Sequence, residues 1–186
     1  MPEPQADWPR TLEEFRVWHE RQPDVWEFID GTPRQRDAGS MARVLIKSNL
    51  GCTLGRTLCG TRCHVLISGA IVEVHGSSLI PDILVTCAPL DFSTPRVDEP
   101  VVIVEILSPS DEKDDTGRKL ALYLEIPSLR HYVVIHQDRR QIVHHGRRDD
   151  LGGAFLTNIS PPDPLRLDPP GLDLSLAAVY ERLPFD

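Results

Sequence analysis

Three polar side chains stand out in the sequence because their types and surroundings could support hydrolytic chemistry. Asp82 directly follows Pro81 at the start of an apolar segment. Glu105 lies within residues 101–107, where every other side chain is apolar. A carboxylate buried in such a segment is costly unless it is paired or bound to a cation. Lys119, on the next predicted helix, is the third of these side chains.

Two carboxylates with open coordination positions suit a hard divalent cation that takes oxygen ligands and keeps several waters. Magnesium is therefore the predicted metal at Asp82 and Glu105, with manganese as a possible substitute. Such an ion can polarise a phosphodiester and lower the pKa of a bound water. Lys119 could position or activate that water and balance the charge that develops on the phosphate. The three side chains therefore have the parts needed to hydrolyse a phosphodiester.

Simpler interpretations of the same residues stay open at this point. Asp82 could be a turn residue after Pro81. Glu105 and Lys119 could form a buried ion pair without any metal. Lys119 shares one face of its helix with Asp115 and Tyr123, because the three are spaced four residues apart. Tyr123 is interpreted mainly as a packing residue, with its hydroxyl reaching the edge of the site as the alternative.

The elements that must position these residues can be predicted from capping signals and from the spacing of apolar residues. Thr11 and Glu14 form a capping box that starts a first helix. Asp30-Gly31 is a hairpin signal. The predicted strands cover residues 25–29, 34–37, 65–74, 80–86, 101–106, 132–135 and 141–145, and further helices cover residues 41–58, 114–125 and 174–183. This order predicts an α/β fold, a mixed β-sheet flanked by helices.

Length and composition indicate one domain. The chain has 186 residues, 40% of them apolar, which suits a domain over residues 11–183 after an N-terminal tail at 1–10. No apolar run reaches the ~18 residues of a membrane span, and residues 1–10 do not resemble a secretory signal. The expectations are therefore no membrane partner and a cytoplasmic location.

The charge of the chain bears on its partners. A formal net charge of −8 taken alone argues against nucleic acid, because phosphate binding normally needs a positive surface. A local patch of Arg139, Arg140, Arg147 and Arg148 could supply one, although such charges are more often simply solvated.

The four cysteines lack a paired spacing that would favour zinc. A zinc site that includes Cys59, Cys63 and His64 is conceivable, but a structural site needs four ligands at recurring spacings. Small buried thiols in a reducing compartment are the favoured interpretation for all four cysteines.

Several segments together resemble a known family, the putative restriction endonuclease family that is greatly expanded in cyanobacteria, within the PD-(D/E)xK nuclease superfamily. The resemblance runs from about Thr11 to Tyr180. The matching pieces are residues 11–15, 27–31, 81–82 and 104–110, the series Asp115, Lys119 and Tyr123, then residues 131–135 and 171–172 with the closing helix. Their order and spacing carry the resemblance, since each piece alone is weakly specific.

The resemblance implies a restriction-endonuclease-like core in a single domain, with Asp82 and Glu105 as magnesium ligands. The motif lysine, normally two residues after the glutamate, is displaced to Lys119, and Leu107 stands in its usual place. Glu27 matches an acidic position that completes the metal shell or orients Lys119. The alternative for Glu27 is a hairpin carboxylate beside Asp30.

The chain also departs from the family. Arg43 stands where members often carry a histidine after a serine, and Val133 stands where a tryptophan often follows the tyrosine. Neither departure is expected to touch the proposed metal site, although the missing histidine leaves substrate contact open.

The functional prediction is a magnesium-dependent endonuclease that cleaves DNA with Asp82, Glu105, Lys119 and Glu27. Because one small domain presents one active site, cutting both strands of a duplex suggests a homodimer. A second reading is a catalytically silent DNA-binding or protein-interaction module on the same fold. A third is a structural domain in which Glu105 and Lys119 are only an ion pair.

Overall fold

Helices and strands in the structure, a computed structural model, are described for residues 7–36, 39–107, 116–159 and 162–185. The helices are α1 (Leu12–His19), α2 (Met41–Leu58), α3 (Thr116–Leu124) and the short α4 (Leu176–Val179). The strands are β1 (Trp26–Ile29), β2 (Thr32–Gln35), β3 (His64–Ile67), β4 (Val72–Val74), β5 (Ser77–Leu79), β6 (Ile83–Thr86), β7 (Pro100–Leu107), β8 (His131–His136), β9 (Ile142–Arg148), β10 (Ala154–Asn158), β11 (Leu165–Leu167) and β12 (Leu172–Leu174).

A six-stranded mixed sheet with the order β10-β9-β8-β7-β6-β3 forms the centre of the fold. Strands β7 and β8 pair in parallel, while the other neighbours in this sheet are antiparallel. Helix α3 makes the crossover between the two parallel strands, because a parallel connection has to return to the same end of the sheet. Strands β2-β1-β5-β4 form a smaller sheet, and β11 pairs with β12. The predicted mixed α/β class is confirmed.

Each face of the central sheet carries its own apolar core. Helix α2 packs Ile46, Leu50 and Leu54 against one face, together with the strand and helix near the C-terminus. Helix α3 packs Leu122 and Tyr123 against the other face. Strand β7 is covered on both faces, which explains its nearly continuous apolar sequence.

Some predicted boundaries are wrong, for local reasons. The strand expected over residues 65–74 is split into β3 and β4, which belong to different sheets. Ser68 and Gly69 between them take positive φ values of 54° and 83°, which no regular strand can continue. The expected strand over 80–86 begins only at Ile83, and β10 was not predicted. The Asp30-Gly31 turn is confirmed, with positive φ at both residues.

The cysteine prediction is also wrong. Cys63 and Cys87 form a disulfide, while Cys52 and Cys59 are exposed free thiols. The disulfide joins the ends of two paired strands, because Cys63 precedes β3, Cys87 follows β6 and the register sets His64 opposite Thr86. The imagined zinc site is excluded by this bond at Cys63. Among the described residues no group of three potential ligands is placed to hold a metal.

Candidate active site

Asp82 is completely buried just before β6. The antiparallel register sets Ile83 opposite Val104, and continuing it by one residue brings Asp82 beside Glu105. Oδ2 of Asp82 accepts a hydrogen bond of 2.8 Å from the backbone N–H of Ile106. This bond fixes the Asp82 carboxylate near the end of β7, a strand that is buried over most of its length.

Three cationic side chains surround the Asp82 carboxylate. Arg36, directly after β2, donates from Nη2 to Oδ1 at 2.9 Å. Arg43 approaches both carboxylate oxygens with Nη2, at 2.9 and 2.8 Å. The ammonium of Lys47 lies 2.9 Å from Oδ1. Burial alone would raise the pKa of Asp82, but these three cations outweigh burial and hold it below its usual value.

Helix α2 presents two of these cations from one face. The side chain of Ser40 caps the helix by accepting a hydrogen bond from the backbone N–H of Arg43. Arg43 and Lys47 are four residues apart, so both point to the same side of the helix. The expectation that Arg43 would not touch the proposed metal site is therefore wrong, since it contacts Asp82 directly.

Glu105 lies in different surroundings on the adjacent strand. It is 3% exposed, and Oε1 accepts a 2.9 Å hydrogen bond from the hydroxyl of Tyr123. Its cationic neighbour Lys119 is 3.9 Å away. Burial raises the pKa of Glu105 to about 7; Lys119 opposes the rise, while the nearby charge of Asp82 adds to it. Glu105 therefore gains protons at pH values where Asp82 stays ionised.

Glu27 on β1 contacts the lysine. Its Oε1 accepts a 2.7 Å hydrogen bond from the backbone N–H of Ile80, and its Oε2 lies 2.6 Å from the ammonium of Lys119. Asp30 pairs with Arg118 outside the site, while Glu27 lies within the β1–β2 hairpin, so its role stays a prediction.

Helix α3 delivers Lys119 and Tyr123 together because they are one turn apart. Burial favours the neutral amine of Lys119, but Glu105 and Glu27 outweigh burial and raise its pKa. Lys119 is therefore a cation at neutral pH. Asp115, the third member of the predicted series, lies outside the described residues.

The donor set fits a hard divalent cation in type. Asp82, just before β6, and Glu105, on β7, offer carboxylate oxygens. Burial disfavours the ionised form of Glu105, so a bound cation would stabilise its negative charge. Glu27 is engaged by Lys119 and by the backbone N–H of Ile80. A metal at Asp82 would have to share the carboxylate with Arg36, Arg43 and Lys47.

Sequence reasoning missed these three cations and assigned positive charge elsewhere. Two members of the proposed arginine patch are engaged within the protein: Arg147 donates to the backbone carbonyls of Leu124 and Ile126, and Arg148 pairs with Asp150. The available signal was the pair Arg43 and Lys47, one turn apart behind the capping Ser40. Nothing local linked that pair to Asp82.

The chain has a mixed sheet with a cluster of carboxylates and a lysine at the end of the central strand β7. These two features define the class of domain with which the chain is compared. The same fold occurs in the crystal structure of a putative nuclease belonging to DUF820 from Anabaena variabilis. The two structures agree with a TM-score of 0.74 over 92% of this chain and 98% of that one, at 17% sequence identity. At this identity the likeness shows the fold.

The family follows from the sequence comparisons. Residues 12–178 match the Uma2 family, which is described as putative restriction endonuclease. An uncharacterized protein of Synechocystis, slr1290, is 31% identical over 98% of this chain and 97% of its own length. The chain therefore belongs to the Uma2 family, and the resemblance noted from its motifs is confirmed.

Proposed function

We propose that this protein is a metal-dependent endonuclease that hydrolyses phosphodiester bonds in DNA. The observation that carries the proposal is the ammonium of Lys119, on a side chain only 13% exposed, at 2.6 Å from Glu27 and 3.9 Å from Glu105, the neighbour of Asp82 across β6 and β7. Membership of a family described as putative restriction endonucleases, and the shared fold with a putative nuclease, support the same reaction class.

Asp82 and Glu105 would hold the divalent cation, magnesium or in its place manganese. When bound, that ion would polarise the phosphate and lower the pKa of a water. Lys119 has the charge and position to orient the attacking water and to stabilise charge on the phosphate. Glu27 keeps that ammonium aimed at the site through the contact at 2.6 Å.

A substrate phosphate also needs positive charge, and the site supplies it despite the acidic chain. Arg36, Arg43 and Lys47 are 13%, 14% and 22% exposed, so their outer surfaces can meet a ligand while their inner atoms contact Asp82. Guanidinium groups match phosphate oxygens in pairs. A phosphate can therefore meet positive charge at this site although the whole chain has a formal net charge of −8.

Cleavage of supercoiled plasmid tests the proposal. Wild type should nick the plasmid only with magnesium or manganese, and Glu105→Gln should reduce the rate by roughly a thousandfold or more. Glu125→Gln, at the exposed C-terminal end of α3, is the matched control and should retain the wild-type rate. Nicking that persists in Glu105→Gln would reject Glu105 as an essential group. A parallel assay on RNA of the same sequence tests the preference for DNA.

A second candidate function, a silent binding module, has one observation in its favour. Both oxygens of Asp82 are already contacted by cationic side chains. DNA binding without nicking under any metal, measured by anisotropy of a labelled duplex, would support the module and count against the nuclease.

Two further expectations belong to the proposal. A homodimer would bring two sites to a duplex, and analytical ultracentrifugation of the protein with and without DNA would test it. No helix among the described residues is long and apolar enough to cross a membrane. A cytoplasmic location stays a prediction, and the Cys63–Cys87 disulfide is unusual for that compartment.

A further inference from the structure

Arg43 bridges the two oxygens of the Asp82 carboxylate that would serve as metal ligands. Its Nη2 lies 2.9 Å from Oδ1 and 2.8 Å from Oδ2, so a single nitrogen bridges both oxygens of the carboxylate. Nε of the same guanidinium adds a longer contact of 3.3 Å to Oδ1. Asp82 itself is inaccessible to solvent. A metal ion therefore cannot approach these oxygens along the path that the guanidinium fills.

Arg43 differs from the other two cations around Asp82. Arg36 and Lys47 each lie 2.9 Å from Oδ1. Arg43 contacts both oxygens, and Oδ2 also accepts the hydrogen bond from the backbone N–H of Ile106. Removing Arg43 would remove this bridge over both oxygens and still leave Arg36 and Lys47 beside Asp82.

We infer that Arg43 is an internal competitor of the divalent cation, so that metal binds at Asp82 only as the guanidinium leaves. The inference rests on the proposed function, because it names the regulation of the same site. A divalent cation on this carboxylate would lie against the Arg43 nitrogen that already bridges both oxygens, and the repulsion between the two charges is strong where water is excluded. The free energy of breaking the Arg43–Asp82 contact is therefore subtracted from that of metal binding.

The partner that could draw Arg43 away is a phosphodiester. A guanidinium binds a phosphate through two parallel hydrogen bonds, as it binds a carboxylate. A substrate phosphate that recruits Arg43 frees Asp82, so that substrate and metal strengthen each other's binding. In the absence of a substrate the site would then hold metal weakly, which keeps it idle.

Manganese binding by the full chain tests the inference without relying on catalysis. Free Mn²⁺ is counted by electron paramagnetic resonance during a titration of wild type and Arg43→Ala. The variant should bind Mn²⁺ at least about tenfold more tightly, which corresponds to about 1.4 kcal/mol. The gain should vanish in the double variant Arg43→Ala/Glu105→Gln. Arg166→Ala, which removes an exposed arginine paired with Asp173, is the control and should bind as wild type does.

Arg43→Gln covers the case in which Arg43→Ala does not fold, because it keeps a hydrogen-bond donor and loses the charge. An unchanged or weaker Mn²⁺ affinity in the folded variant overturns the inference, and so does a complete lack of binding in both proteins. Plasmid nicking separates this result from the fate of the nuclease proposal. If Arg43→Ala binds Mn²⁺ more tightly but no protein nicks the plasmid, Arg43 competes with the metal and the nuclease proposal is rejected. If wild type nicks the plasmid but Arg43→Ala binds Mn²⁺ no more tightly, the nuclease proposal stands and the role of Arg43 as a competitor is rejected.

Discussion

Asp82, just before β6, and Glu105, on the neighbouring strand β7, are buried carboxylates whose surroundings move their pKa values in opposite directions. Asp82 is held by three cations and a backbone N–H, and its pKa is lowered. Glu105 has a tyrosine hydroxyl and one ammonium at 3.9 Å, and its pKa is raised to about 7. Burial acts on both, so the difference comes from the number and distance of the cations.

The contrast assigns different roles to the two halves of the site. The charge of Asp82 is already balanced by the protein, so its carboxylate contributes to the fold before any ligand arrives. Glu105 is short of positive charge and would gain more from a bound cation. Pairs of groups whose surroundings separate their pKa values are typical of sites that divide the work of acid–base and electrostatic catalysis.

Replacing Asp82 with asparagine should have the largest effect on stability. The change leaves Arg36, Arg43 and Lys47 around a neutral amide, and breaking a buried ion pair from one side costs about 3–5 kcal/mol. Glu105→Gln should cost at most about 1 kcal/mol at pH 7, where the wild-type group is already partly protonated. Urea unfolding in the presence of a chelator measures both values. Equal losses for the two variants would erase the distinction between the carboxylates.

The pH dependence of the free energy of unfolding should show the same difference between Asp82 and Glu105, with a smaller effect. Because the pKa of Glu105 is raised from 4.5 to about 7 in the fold, the folded protein binds more protons than the unfolded chain between these values. Glu105 therefore makes the protein less stable as the pH rises through this window, by roughly 3 kcal/mol. The lowered pKa of Asp82 acts oppositely, since its stabilisation is lost as the pH falls below about 4.

Buried histidines also contribute to the pH dependence of stability. Burial lowers the pKa of His144 to about 4 and also lowers the pKa values of His131 and His145. These groups make the protein more stable as the pH rises from about 4 to about 6.5. The test is therefore the difference between wild type and Glu105→Gln across pH 4 to 8, in metal-free buffer, because the histidine contributions cancel. A flat difference would show that the Glu105 pKa is not raised.

The half of the site around Glu105 was largely predictable from local sequence. A glutamate inside an apolar strand indicates a buried carboxylate, and the four-residue spacing of Lys119 and Tyr123 places both on one helix face. The structure brings all three together. The crossover helix α3 brings Lys119 and Tyr123 to Glu105 with little dependence on distant parts of the chain.

The half around Asp82 was not predictable in the same way. Arg43 and Arg36 lie 39 and 46 positions before Asp82 in the sequence, and only the packing of α2 on the sheet brings the guanidinium of Arg43 to that carboxylate. Periodicity predicted the helix but carries no information on which carboxylate it faces. The same limit explains the split of the strand expected over residues 65–74, because its two halves separate into different sheets.

The smallest expected effect concerns the hydroxyl that touches Glu105. Tyr123→Phe removes one buried hydrogen bond of 2.9 Å and should cost about 1 kcal/mol at neutral pH. In the Glu105→Gln background the cost should shrink, since the charged acceptor is gone. The hydroxyl also stabilises the ionised carboxylate, so Tyr123→Phe should move the midpoint of the pH difference profile upward. If both the cost and the midpoint stay unchanged, Tyr123 contributes packing alone, and the contrast between the two carboxylates rests only on the placement of the cations.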